Sequence, residues 1–163
     1  MEHFTDLSGW FSAFLPQLLA AFVAGTLLGL ERQRRHSPIG VRTCTLVCAG
    51  STAYMATGHL ILTTSSMPGD PTRIAGQIIT GIGFLGAGAI IRERGGVHGL
   101  TSAATIWFLG AIGVLIGCRY ALAGLGLSIA IVVLLFLVSW LEQWIGPRDP
   151  HSGEATECSP SDG

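Results

Sequence analysis

An all-α bundle of about five transmembrane helices is the fold class that this sequence predicts, and three observations carry the prediction. Hydrophobic residues make up 49% of the chain and charged residues only 12%, with 23 glycines, a balance foreign to soluble domains. The apolar residues fall into five long runs parted by short polar or glycine-rich breaks. All nine basic residues are arginine, and most of them gather in breaks that would lie on one face of a membrane. The net charge of −1 points neither to nucleic acid nor to an acidic substrate.

The first run covers residues 12–30. The preceding segment, MEHFTDLSGW, is acidic where a secretory signal would be basic, which predicts an uncleaved first helix. Gly25 and Gly29 stand in GxxxG spacing, a face on which two helices approach closely in lipid. The run stops at Glu31, Arg32, Gln33, Arg34 and Arg35, and Ser37, Pro38 and Gly40 form a turn. The second run covers residues 41–63. Cys44 and Cys48 lie one turn apart inside it and read as small buried hydrophobes, since a thiolate ligand is disfavoured in lipid.

The third run, spanning residues 72–91, reads as the centre of the bundle. Asp70 is placed as an N-cap and Pro71 at the first helical position, where the missing N–H costs nothing. Roughly eighteen largely apolar residues follow, about the length that crosses a bilayer. Gly81, Gly83, Gly86 and Gly88 strip side-chain bulk from the run, and in lipid that predicts a packed helix. A re-entrant hairpin, leaving four spans, is the competing reading because so many glycines weaken a helix. Gly81 to Gly86 also match G-x-G-x-x-G, but the apolar pattern runs through the glycines and no carboxylate follows about twenty residues on, so no nucleotide site is predicted.

Arg92 to Gly96 read as a charged loop, and the fourth run covers residues 100–117. Cys118 and Arg119 make a tight connection to the fifth run, residues 120–141, whose Trp140 and Trp144 suit an interfacial aromatic belt. The transmembrane domain is expected over residues 1–145. The tail, residues 146–163, is polar and rich in Pro, Gly and Ser and is expected to be disordered. Five spans place the termini on opposite faces. Arginine-rich loops remain cytoplasmic, so the N-terminus is expected outside and the C-terminus inside.

Candidate functional groups lie at helix ends. Glu31 and Arg42 adjoin on one face, as a structural ion pair or as a polar pocket that engages an ion, a lipid headgroup or a protein. Asp70 and Arg73 pose the same choice on the other face. Gln77, Thr80, Thr101, Ser102 and Thr105 lie within spans, as interhelical glue or as the lining of a permeation path. No intramembrane carboxylate chain is available to relay protons. The five histidines are scattered, and neither HExxH nor G-x-S-x-G occurs, so neither an enzyme nor a metal or other cofactor is predicted.

Four blocks taken together resemble the MgtC/SapB family of bacterial membrane proteins. They are Gly25-x-x-x-Gly29-x-Glu31-Arg32; Gly40-x-Arg42-Thr43; Asp70-Pro71-x-Arg73-Ile74-Ala75 running into Gly81 to Gly88; and Gly99 to Thr105 with Trp107. Together they cover roughly residues 20 to 117. The resemblance implies a multi-pass plasma-membrane protein of about five spans, linked to growth under magnesium limitation and to virulence. It further implies a regulator acting on membrane partners, the F-type ATP synthase among them. Cys44 stands where a histidine is expected after Arg-Thr, and Ser102 where a second threonine is usual. Only a short tail follows Leu141, so the chain resembles a membrane-domain-only member without the soluble C-terminal domain.

Two functions compete on these grounds. One is a regulatory module that binds other membrane proteins, or a second copy of itself, through small-residue helix faces in the lipid bilayer. The other is a channel or secondary transporter for a small ion or solute, in which Gln77, Thr101 and Thr105 would meet in one water-filled cavity.

Overall fold

The computed structural model describes residues 2–64, 69–93 and 96–145. It contains five helices: α1 (Glu2–Arg34), α2 (Val41–Thr64), α3 (Pro71–Gly88), α4 (Leu100–Gly117) and α5 (Ala121–Ile145). Among the described residues four stretches are long and apolar enough to cross a membrane, namely Ser12–Arg34, Val41–Thr64, Leu100–Gly117 and Ala121–Ile145. The protein is an α-helical multi-pass membrane protein. Helix α3 is not one of the four, because glycines and polar residues dilute its apolar run. The tail expected to be disordered lies outside the described residues.

Helix ends differ from the sequence expectation: α1 begins already at Glu2 and α5 runs on to Ile145, and two further ends bear on the site. Helix α1 continues through the charges to Arg34. Glu31 reaches Arg35 across one turn, and Arg32 and Arg34 sit at the negative end of the helix dipole. Helix α3 stops at Gly88 rather than near Ile91, and the described flanks of the expected charged loop are strands, β1 (Ile91–Glu93) paired antiparallel with β2 (Gly96–His98). Gly99 returns the chain to α4 with φ +88, and a side chain there would strike the Ala89 carbonyl oxygen. Only glycine fits that corner.

Glycine sets the depth to which α1 and α4 seat on α2. A methyl group at Gly25 would lie 2.6 Å from the Thr45 Cα, and one at Gly29 would lie 2.5 Å from the Val41 Cα. Rising numbers on α1 meet falling numbers on α2, so the pair is antiparallel. On α4, a methyl group at Gly113 would lie 2.5 Å from the Cys48 carbonyl oxygen, and one at Gly117 would lie 2.6 Å from the Met55 Cβ. Here both numbers rise together, and α2 and α4 run parallel. The Thr52 hydroxyl, fully buried, donates toward the Gly113 and Cys48 carbonyl oxygens, each at 3.0 Å. The core is α2 and α4 with the face of α1 seated on them: Leu28 of α1, Cys44 and Cys48 of α2, and Leu109, Ile112 and Ile116 of α4 are all at 0% exposure.

Helix α3 lies on the flank of that core, which corrects the reading of it as the central packed helix. It is held by its bulky side chains, not by its glycines. Ile74 fills the space left by Gly58 on α2, and Ile82 the space left by Gly110 on α4. Gly86 faces Ala103 at an ordinary 3.5 Å, whereas Gly76, Gly81, Gly83 and Gly88 have nothing within 4 Å of an added methyl group. The small-residue holes are therefore on α2 and α4, and α3 supplies the knobs. These three contacts also fix its course, from the Gly58 level of α2 to the first turn of α4. At about 1.5 Å per residue its 18 residues rise about 27 Å, alongside α2 and antiparallel to it.

The first half of α5 returns along α4, with Gly124 seated against Ile116. From Val133 the chain forms a separate compact unit, in which the exposed Trp140 and Trp144 rings lie 5.8 Å apart.

Candidate functional site

The polar groups at the arginine-rich end are organised around the last turn of α1. Arg32 is only 5% exposed, a burial that a guanidinium tolerates only when paired. Its partner is its neighbour Glu31, whose other carboxylate oxygen accepts from Arg35 Nε at 2.8 Å. The Arg32 carbonyl oxygen also accepts from the Arg35 and Ser37 amides, turning the chain toward α2. The Ser37 and Ser102 hydroxyls are 2.8 Å apart, so this turn is tied to the first turn of α4. The expected Glu31–Arg42 pair does not form: Glu31 is occupied from its own helix, while Arg42 and the adjacent Thr43 are exposed on α2. Among the described residues Arg42 makes no ion pair.

At the opposite end Asp70 caps α3. Its carboxylate accepts from the Thr72 amide at 2.8 Å and from the Thr72 hydroxyl at 2.7 Å, with Pro71 in the first turn. Those two hydrogen bonds to Thr72, with a smaller contribution from the nearby Arg73 charge, hold the Asp70 carboxyl below its ordinary pKa. Asp70 and Arg73 form no ion pair. Arg73 and Gln77 instead line a groove of about 770 Å³ between α2 and α3, whose other walls include Leu46, Tyr54 and Leu85.

The remaining polar candidates do not converge. The Thr105 hydroxyl donates to the Thr101 carbonyl oxygen at 2.8 Å, and the Thr80 hydroxyl to the Gly76 carbonyl oxygen at 2.9 Å. Both bonds stay within one helix. Thr101 is exposed and Thr105 is buried, and neither lines the groove that holds Gln77. Ser102 does reach beyond its own helix, to Ser37 in the α1–α2 turn, but hydrogen bonds from one helix to another are carried by residues that the sequence reading did not single out. These are Thr52, and Thr26 with Thr45, whose hydroxyls lie 3.4 Å apart. The Gly113-x-x-x-Gly117 spacing was the available signal for the α2–α4 seam, the same GxxxG pattern that marks α1.

Comparison with known proteins places these features in one lineage. The chain matches the MgtC family over residues 18–144. It is similar to Protein MgtC of Brucella abortus (strain 2308), with 46% identity over 122 residues, covering 75% of this chain and 47% of that protein. It is similar to Protein MgtC of Salmonella paratyphi A, with 42% identity over 142 residues, covering 87% of this chain and 59% of that protein. An uncharacterized protein of Haemophilus influenzae is 33% identical over 135 residues, covering 79% of this chain and 57% of that protein. The chain thus spans about half the length of the curated relatives it matches, and no solved structure matches it. On a family match that takes in all five helices, and on relatives sharing more than two-fifths of the aligned residues, the chain belongs to the MgtC family.

Proposed function

We propose that this protein is a regulatory module of the bacterial inner membrane, linked to adaptation to magnesium limitation and to virulence, which acts by binding other membrane proteins. The observation that carries the reading is the free face of α3. Its isoleucines hold it to the bundle, while Gly76, Gly81, Gly83 and Gly88 stand open and Phe84 is 81% exposed. In lipid, such a small-residue face with an aromatic knob accommodates another helix without a water-driven force. The F-type ATP synthase, implied by the family resemblance, is one partner of the right kind, and a second copy of the chain is another. The alternative reading, a channel or secondary transporter, requires Gln77, Thr101 and Thr105 to share a cavity. Their separation and the close-packed α2–α4 seam favour the regulatory reading.

A photo-cross-linking residue at Phe84, used in growing cells, tests the proposal. The expected result is a membrane-protein adduct that Gly83→Leu abolishes while the variant stays folded and abundant. Adducts to lipid alone, with Gly83→Leu indistinguishable from wild type in cells, would sink it.

A further inference from the structure

Helix α4 is too short to reach the end of α2, and the shortfall leaves a crevice. Gly117, the last residue of α4, seats against Thr52 and Met55 of α2, yet α2 continues to Thr64. Above that step lies a cavity of about 330 Å³, walled by α1 (Phe14, Gln17) and α2 (His59, Thr63) with Gly117 and Arg119 beneath. It lies at the end of the bundle opposite the arginine-rich turn.

Gln17 is the unexplained residue in it. Its side chain is buried, at 8% exposure. Its Nε2 donates to the Ala13 carbonyl oxygen over a long 3.4 Å, and among the described residues its Oε1 has no hydrogen-bond partner. A buried acceptor without a donor is unfavourable, so a group that enters the crevice and donates to it as the Gln17 amide turns toward the opening is favoured. Arg119 is the second oddity. The Tyr120 amide bonds back to the Leu115 carbonyl oxygen, a Schellman closure of α4 whose left-handed position is normally glycine. Arginine occupies that position at φ 70, and among the described residues it has no ion-pair partner.

We propose that this crevice binds a phosphate ester carrying a free hydroxyl, the chemistry shared by a glycerophospholipid headgroup such as that of phosphatidylglycerol and by soluble glycerol phosphate. Arg119 neutralises the phosphate, with His59 as a further donor, and the hydroxyl donates to Gln17 Oε1. An ammonium could serve that acceptor too, but the unpaired Arg119 cation disfavours a second positive charge in so small a space. The apolar Phe14 and Leu60 line the same cavity and suit the first carbons of an acyl chain.

The test uses the purified full chain in detergent, with native mass spectrometry against phosphatidylglycerol and phosphatidylethanolamine, and calorimetry against glycerol 3-phosphate. Retention of phosphatidylglycerol over phosphatidylethanolamine identifies the lipid as the source, and saturable glycerol 3-phosphate binding alone identifies the soluble one. Arg119→Gly should weaken whichever binds at least tenfold while the melting temperature holds or rises, because glycine relieves the left-handed backbone. Gln17→Leu should weaken it several-fold in a folded protein. No binding of either probe, equal retention of both lipids without glycerol 3-phosphate binding, or unchanged binding in both variants overturns the proposal. These readouts do not depend on the α3 face, so they stand or fall separately from the regulatory reading.

Discussion

Single glycines divide into two classes, and the division makes opposite predictions for the same substitution. At Gly113 a new side chain would meet backbone and Cβ atoms on α2, none of which can swing aside. Gly113→Leu should cost at least about 2–3 kcal/mol by overpacking, read as earlier unfolding in an SDS titration. Gly83→Leu should leave the same titration within about 0.5 kcal/mol, since nothing faces it. Equal losses at both positions would contradict the placement of α3 on the flank. Glu31 makes a similarly sharp case. Glu31→Gln leaves the buried Arg32 without its counter-ion and should cost on the order of 2–3 kcal/mol, between an exposed pair and a fully buried one. Because Arg42 is not the partner, combining Glu31→Arg with Arg42→Glu should restore nothing. Recovery of thermal stability in that double variant would show that the two do pair.

At the scale of the element, α3 depends on its ends and on two isoleucines. Its N-terminus rests on the Asp70 cap, which is strongest as a carboxylate. Hydrogen bonds from Thr72 lower the Asp70 pKa in the folded protein, so the folded state favours the ionised form. That contribution is fully present above the ordinary aspartate pKa of about 3.9 and fades as pH falls through the lower folded value. Amide exchange in the first turn of α3 should therefore quicken only under strongly acidic conditions, and Asp70→Asn should remove most of the acid dependence. A first turn whose exchange in the wild type tracks pH around neutrality would count against the cap. The GxxxG spacing of Gly25 and Gly29 can be read from the chain because both partners of a glycine contact obey local helical periodicity. Whether the α3 glycines meet anything cannot, since a glycine has no side chain to declare which way it faces.

For the whole molecule, the parallel course of α2 and α4 requires the chain to cross the bundle between them, and α3 is the helix available to do it. Helix α3 should accordingly cross the membrane despite its weak hydropathy. Natural cysteines test this. Cys118 sits at the α4–α5 turn and Cys158 in the tail, separated by α5. With the arginine-rich turn cytoplasmic, an impermeant maleimide applied to intact cells should modify Cys118 and spare Cys158. Partial burial pushes the Cys118 thiol upward, so labelling should quicken as pH is raised above about 8.5. Labelling of Cys158 with Cys118 protected is the pattern of a four-crossing chain.

Composition, run length and break chemistry were enough to declare a helical membrane protein, because lipid leaves few ways to satisfy a backbone and each shows in local pattern; its lineage showed only in the resemblance of four motif blocks between Gly25 and Trp107. The Asp70 cap and the Gly25–Gly29 seam were legible for the same reason. Only the folded bundle decided that α2 and α4 form the core, that isoleucines of α3 enter glycine holes on its neighbours, and that Glu31 bonds within its own helix. Those outcomes depend on which faces of equally apolar helices meet. Between helices of nearly the same hydrophobicity, shape makes that choice, and shape exists only once the chain has packed.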